Sequence, residues 1–205
     1  DLGFTDLRLE MLTVRTQEAQ VELSMQFDWR TPVDPSLDLM ISSKPVTLAV
    51  FKDIFPTPLV PVWIETKLFP LFTDGAAQLD RLRLNGTIGQ MKKMNRPENA
   101  HVFEMRLGLN QLKALPEIPD LEITDVHGEV DIRHGRLLVS NVKGRFGTSA
   151  LTRGTLNWPS LTDKSRRYTL EIQGDFNLED LKRQGTQPVL PPAIRREISR
   201  IQGAD

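Results

Sequence analysis

The chain of 205 residues contains no cysteine. That absence excludes both a disulfide scaffold and a zinc site built on thiolates. It also fits an oxidising compartment, where free thiols are a liability, although many cytosolic proteins lack cysteine too.

Long apolar runs and an excess of charge are missing as well. No stretch approaches the roughly 20 consecutive apolar residues that a membrane-spanning helix requires. The formal net charge is −1, whereas nucleic-acid-binding proteins carry clustered positive charge, so we expect no nucleic acid partner. We expect the sequence to be a fragment of a longer protein, because it begins at Asp1 rather than Met and enters strand-like alternation almost at once.

Motifs for catalysis are also lacking. The sequence has no Gly-x-Ser-x-Gly elbow, phosphate-binding loop, His-Glu-x-x-His pair or dinucleotide fingerprint. His127 and His134 lie on either side of Asp131. A metal site needs three or four ligands, so a surface hairpin explains these histidines better. We therefore expect no enzymatic activity, no metal and no cofactor.

The sequence does contain one short pattern five times, in which a glycine is flanked by polar residues and then by apolar or β-branched ones. Because side chains alternate along a strand, the outer residues and the glycine lie on one face. A glycine there leaves a notch and marks a bend, a bulge or close approach by another group. The pattern predicts a coiled sheet, locally hollowed on its apolar face, with bends at Gly86, Gly128, Gly144, Gly154 and Gly174.

Alternating apolar and polar residues predict strands over most of the chain. The clearest run is 19–29, a one-sided strand of antiparallel type. We predict a mainly β fold, in which a strongly twisted antiparallel sheet forms a groove or taco-like half-barrel. The whole of 1–205 is expected to be a single β-rich domain, with strands in 1–50 and 79–176, including a short one at 46–50.

Three segments depart from this pattern. The segment 51–75 is apolar and rich in proline. Pro61 suits the first turn of a short helix over 62–69 that covers one end of the sheet. A buried apolar loop is the alternative for this segment. The polar link 89–99 is predicted to be an exposed loop, and 177–202 to form short helices, including an amphipathic C-terminal helix.

Several of these motifs occur together in a known family. Residues 121–182 combine the glycine-centred repeats with an alternating run at 136–142 and end in FNLEDL at 176–181. Upstream, a proline-led segment containing Trp63 precedes a return to strand at 82–86. This combination resembles the AsmA-like proteins, the Gram-negative envelope group that includes AsmA, YhdP and TamB.

The resemblance implies a periplasmic β groove with an apolar interior, held at the inner membrane by an N-terminal anchor that this sequence lacks. Such a groove conducts phospholipid or another acyl-chain lipid toward the outer membrane and contributes to outer-membrane homeostasis. It requires no site of fixed geometry, because each buried CH₂ group contributes about 0.8 kcal/mol.

The predicted lipid-facing residues lie on the apolar sides of the predicted strands. They are Val21, Leu23, Met25, Phe27, Phe103, Met105, Leu107, Val130, Leu156, Ile172 and Phe176. The alternative hypothesis is a structural or interaction domain of an envelope assembly protein, in which the same residues form a closed core. A sheet edge or the segment 51–72 would then dock a protein partner.

Overall fold

The computed structural model describes residues 5–115, 122–163, 165 and 167–180. Within these residues, ten strands and two short α-helices lie between Asp6 and Asp175. The strands are β1 (Asp6–Arg15), β2 (Gln20–Asp28), β3 (Ser36–Ser43), β4 (Val46–Thr47), β5 (Phe72–Thr87), β6 (Phe103–Ala114), β7 (Ile123–Arg133), β8 (Arg136–Phe146), β9 (Ser149–Trp158) and β10 (Thr169–Asp175). The α-helices are α1 (Leu48–Ile54) and α2 (Ile88–Met91).

All of these strands belong to one antiparallel sheet, in the order β1-β2-β3-β5-β6-β7-β8-β9-β10. Neighbours in the sheet are also neighbours along the chain, except that β4 pairs with β5 beyond the end of β3. β1 does not pair with β10, so the sheet stays open instead of closing into a barrel. The prediction of a mainly β fold built on an antiparallel sheet is confirmed.

The register of the sheet aligns apolar residues into rows that cross most of its strands. Directly paired residues project to the same side of a sheet, so each row lies on a single face. We call this side the apolar face. One row consists of Leu12, Leu23, Ile41, Leu82, Met105, Ile132, Leu137 and Trp158.

The opposite face of the sheet carries charged residues that pair across the strands. Arg83 on β5 binds Asp38 on β3 through two hydrogen bonds of 3.0 and 2.7 Å. These hydrogen bonds hold the pKa of Asp38 below its ordinary value, because they stabilise the charged carboxylate. Arg106 on β6 binds Glu129 on β7 at 2.6 Å. The sheet therefore has one apolar and one charged face.

Residues 48–71 fold over the centre of the apolar face, and we call this segment the cover. It consists of α1, a 3₁₀ turn at Thr57–Leu59, a π-helical turn at Ile64–Leu68 and a 3₁₀ turn at Phe69–Leu71. Phe51 is 2% exposed and Ile64 is fully buried, and both belong to one hydrophobic core with the sheet. The helical structure predicted after Pro61 is confirmed, but it packs on the centre of the sheet and not on one end of it.

Helical structure begins earlier in the cover than the sequence predicted. The predicted strand at 46–50 was wrong beyond Thr47, because Leu48 and the two residues after it belong to α1. Leu48, Phe51 and Phe55 are all buried, at the spacing of one helix face. Alternation over so short an apolar run fits a strand equally well, so the pattern alone did not separate the two structures.

The polar link 89–99 is exposed over much of its length, as predicted, but it is more structured than a loop. Thr87 and Gln90 form a capping box at the start of α2, and Met91 is buried. Asn99 is only 9% exposed, and its side-chain amide donates to the carbonyl of Lys93 at 3.3 Å. The link therefore contains helical turns and two buried residues, but Lys92, Lys93, Arg96 and Pro97 are exposed as predicted.

The predicted terminal helices fall mainly outside the described residues. A helix begins at 178, directly after Asn177, whose side-chain oxygen accepts from the amide of Glu179 at 2.8 Å. The predicted amphipathic helix near the C-terminus lies wholly outside the part of the chain that the structure describes.

Bulges interrupt three neighbouring strands of the sheet. Gln111 on β6, Asp125 on β7 and Asn141 on β8 all have positive φ angles, between 51° and 56°. Each lies where the pairing register shifts by a residue. Bulges bend a strand and increase its local right-handed twist, so their position across adjacent strands supports a strongly twisted sheet.

Candidate functional site

The centre of the apolar face is sealed beneath the cover. Four of the residues predicted to face lipid lie here and are between 1% and 5% exposed: Phe103, Met105, Leu107 and Val130. All four belong to the core that also contains Phe51 and Phe55 of the cover. These side chains are buried beneath the cover, so they are not reached from the open parts of the apolar face.

A second group of predicted residues lies at the margins of this core. Val21, Leu23 and Met25 on β2 are partly buried and pack against the core from one side. Leu156 on β9 does the same from the other side. Phe27 lies near the end of β2, where its ring is 5.5 Å from that of Trp29.

Beyond these margins the apolar face continues into solvent on β10. Leu170 pairs with Leu156 and Ile172 pairs with Gly154, so both project from the apolar face. Leu170 is 45% exposed and Ile172 is 54% exposed. The ring of Tyr168 lies 5.8 Å from that of Trp158 and extends the same surface. We call Trp158, Tyr168, Leu170 and Ile172 the β10 arm.

The opposite margin has a matching exposed surface on β1. Leu7 pairs with Phe27 and Val14 pairs with Val21, which places both on the apolar face. Leu7, Leu12 and Val14 are each between 46% and 51% exposed. We call these three residues the β1 arm. The apolar face is thus buried at its centre and open at both sides.

Phe176 is the one predicted lipid-facing residue that lies beyond the sheet. It follows the end of β10, and its ring is 6.0 Å from that of Phe146 on β8. A register shift between Gln173 and Gly174 separates it from the regular pairing of β10. Its 37% exposure leaves one side of this aromatic pair open to solvent.

Register shifts accompany four of the five predicted bending glycines. They occur at Gly128 on β7, at Gly144 on β8, on both sides of Gly154 in the pairing of β9 with β8, and at Gly174 on β10. Gly86 on β5 lies in continuous pairing with β3. Bulges at such sites bend the sheet, as the pattern predicted.

The notches at these glycines are filled. A Cβ atom on Gly128 would lie 3.3 Å from Val142 and one on Gly154 would lie 3.1 Å from it. At Gly86 a Cβ atom would lie 2.8 Å from both Val102 and Gln90. The glycines therefore admit neighbouring side chains close to the backbone, and the expected hollows are occupied by protein.

No reactive cluster accompanies the apolar face among the described residues. They include no group of three or more metal-ligating side chains that could hold an ion. His127 instead contacts Asp125 at 2.9 Å, and His134 lies in the turn between β7 and β8.

Some residues of the open arms were not among those singled out in the sequence. Leu170 alternates with Ile172 along β10, and Tyr168 just before the strand continues this alternation, which is the sequence signal that could have identified them. Trp158 at the end of β9 has a buried indole nitrogen with no hydrogen-bond partner among the described residues. Its position at the open margin follows from pairing with Leu137, which sequence alone does not reveal.

Comparisons with known proteins identify no relative of this chain. No family model matches it, no curated protein matches its sequence, and no solved structure matches its fold. The resemblance to AsmA-like proteins therefore stays a prediction. In the described part of the chain, no helix has the length and apolarity needed to cross a membrane.

Proposed function

We propose that this chain binds acyl-chain lipid along the apolar face of its sheet. The observation that supports the proposal is the continuation of the apolar rows past the sealed core into the β1 arm and the β10 arm. Exposed apolar surface of this kind marks a site of interaction with lipid, ligand or protein. The charged opposite face, with the pairs Asp38–Arg83 and Glu129–Arg106, faces water.

The open arms, rather than the sealed centre, are the accessible part of this surface. A hydrocarbon chain on the β10 arm covers Leu170 and Ile172, which lie side by side with Leu156 and Gly154 of β9. Each CH₂ group removed from water contributes about 0.8 kcal/mol, so affinity grows with the length of chain in contact. No polar group of fixed geometry is needed for such binding.

The cellular role that we propose rests on the resemblance to AsmA-like proteins. In this role the chain is one segment of a bridge-like phospholipid transport protein in the periplasm, anchored at the inner membrane and contributing to outer-membrane homeostasis. It acts without catalysis: the sheet supplies a surface, and the lipid moves along it.

The test is the lipid content of the purified chain, measured by mass spectrometry. Ile172→Asp places a carboxylate on the β10 arm, and Gln173→Asp places the same group on the other side of the same strand as a control. Loss of one buried isoleucine contact is worth about 1.5–3 kcal/mol, so we expect bound lipid to fall roughly tenfold or more in Ile172→Asp alone. Absence of lipid from the unmodified chain would contradict the proposal.

The sealed centre supports a second candidate, a structural or interaction domain of an envelope assembly protein. In that case the buried Phe103 and Met105 serve only to hold the cover, and the arms or sheet edges contact another protein. This candidate predicts no co-purified lipid and equal behaviour of the two Asp variants in the lipid assay.

A further inference from the structure

A separate apolar cavity opens at one side of the cover. It has a volume of about 400 Å³ and lies where residues 61–63 approach the turn between β7 and β8. Trp63, Phe103, Ile132 and Leu161 form much of its wall. A volume of this size is in the range of sites for small ligands, which are lined mainly by apolar side chains.

A polar cleft of about 410 Å³ adjoins this cavity, and Ala100 and Thr162 belong to the walls of both. The hydroxyl oxygens of Ser160 and Thr162 are 3.3 Å apart in the cleft. Asp163 lies beside them, and its backbone amide donates to Ser160 at 3.0 Å. The two spaces together form an apolar compartment joined to one rich in oxygen acceptors.

Where the cavity and the cleft meet, the backbone lies unusually close to a neighbouring side chain. Gly135 has a φ of +71°, and a Cβ atom there would lie 2.8 Å from the side chain of Ala100. A larger residue at this turn would therefore crowd the wall shared by the two spaces. On the other side, Trp63 directly precedes the π-helical turn Ile64–Leu68. Such turns are rare and occur frequently at functional sites.

We infer that the cavity holds one glycerol-linked acyl chain, with the polar end of the lipid in the adjoining cleft. The apolar wall accepts the hydrocarbon, and the hydroxyl oxygens of Ser160 and Thr162 accept hydrogen bonds from glycerol hydroxyls. A free fatty acid fits less well, because its carboxylate only accepts hydrogen bonds and has no hydroxyl to donate to the oxygens of Ser160 and Thr162. The inference rests on the proposed function in taking lipid as the ligand, but it locates a fixed site apart from the open arms.

Tryptophan fluorescence tests this inference directly. In a variant carrying Trp29→Phe and Trp158→Phe, Trp63 is the sole tryptophan, since the chain has three. The probe is a monoacylglycerol with a dibrominated stearoyl chain, whose bromines quench indole on contact. We expect saturable quenching of Trp63, none with the unbrominated lipid, and weaker binding of dibromostearate.

A charge at the mouth of the cavity provides the matched mutational test. Val62 is 71% exposed at the rim, so Val62→Glu leaves the core intact. Val33 is 95% exposed and lies outside the cavity wall, so Val33→Glu is the control. We expect an apparent affinity about tenfold lower for Val62→Glu and unchanged for Val33→Glu. Circular dichroism and the melting temperature verify that each variant is folded.

The outcomes separate this inference from the proposed function. Co-purified lipid that falls in Ile172→Asp, combined with no quenching of Trp63, overturns the cavity site and leaves lipid binding on the arms intact. Tighter binding of dibromostearate than of the monoacylglycerol overturns the assignment of the polar end. Equal losses in Val62→Glu and Val33→Glu overturn the site as well. If the chain carries no co-purified lipid and Trp63 is not quenched, both proposals are overturned.

Discussion

Asp180 shows how one carboxylate connects the last described helical turn to the sheet. It is 8% exposed. Its Oδ2 atom accepts from the amide of Thr148 at 2.8 Å and from the hydroxyl of Ser149 at 2.9 Å. Burial alone would raise the pKa of Asp180, but these hydrogen bonds outweigh it and hold the pKa below its ordinary value. Gly147, with a φ of +57°, lets the β8–β9 turn pass against this carboxylate.

Gly147→Ala is therefore expected to destabilise the protein. Alanine in left-handed backbone costs roughly 1–2 kcal/mol, and its methyl group would in addition collide with the carboxylate of Asp180. Gly108→Ala is the control, because a Cβ atom there meets only Gln78, at an ordinary 3.9 Å. Urea unfolding should show the loss in Gly147→Ala and a change within about 0.5 kcal/mol in Gly108→Ala. Equal effects would refute this account of the turn.

Among the elements, the cover decides which part of the apolar face is open. Phe55 is its best-packed aromatic contact, with ring centroids 5.3 Å from Phe51 and 4.9 Å from Phe69. These rings, together with Ile64, lie in the same core as the central sheet residues. The cover is thus part of the folded core of the domain, not a peripheral loop.

Phe55→Ala is expected to lower the free energy of unfolding by about 3–5 kcal/mol, because it removes a buried ring and leaves a cavity. Phe55 is 5% exposed, whereas Val33 is 95% exposed, so Val33→Ala should change stability very little. Chemical denaturation measures the free energy of unfolding of both variants. A loss below about 1 kcal/mol in Phe55→Ala, within the range typical of point mutations generally, would mean that the cover packs loosely on the sheet.

At the scale of the whole molecule, the sheet ends in two edges that no described strand covers. β1 pairs only with β2, and β10 pairs only with β9. Unpaired backbone groups along an edge invite the addition of another strand. Met11, at the register shift of β1, is 69% exposed and adds apolar surface to this edge.

We therefore expect the isolated chain to associate with itself as its concentration rises. Met11→Lys places a charge on the β1 edge and should shift the chain toward monomer, because edge lysines oppose strand addition. Val33→Lys introduces the same charge at a site that is 95% exposed and lies in no strand. Sedimentation velocity over a concentration series compares the three proteins. A wild-type chain that stays monomeric throughout would rule out association through this edge.

Much of the sheet was predictable from particular residues. The alternation of Val21, Leu23 and Met25 placed β2, and the run from Phe103 to Leu107 placed β6, since both repeat with the period of a strand. The turn at His134 between β7 and β8 was also expected. In contrast, α1 and the bulges at positive φ were not predicted, because each depends on packing against strands far along the chain.

The sequence by itself determined which side chains are apolar and that they share one face of the sheet, because alternation along a strand is a local property of the backbone. Only the tertiary structure decided which of them are accessible. Met105 is 1% exposed and Ile172 is 54% exposed, although both lie on the apolar face. The difference in exposure arises from the part of the sheet on which residues 48–71 pack. The position of this segment depends on contacts between residues far apart in the chain.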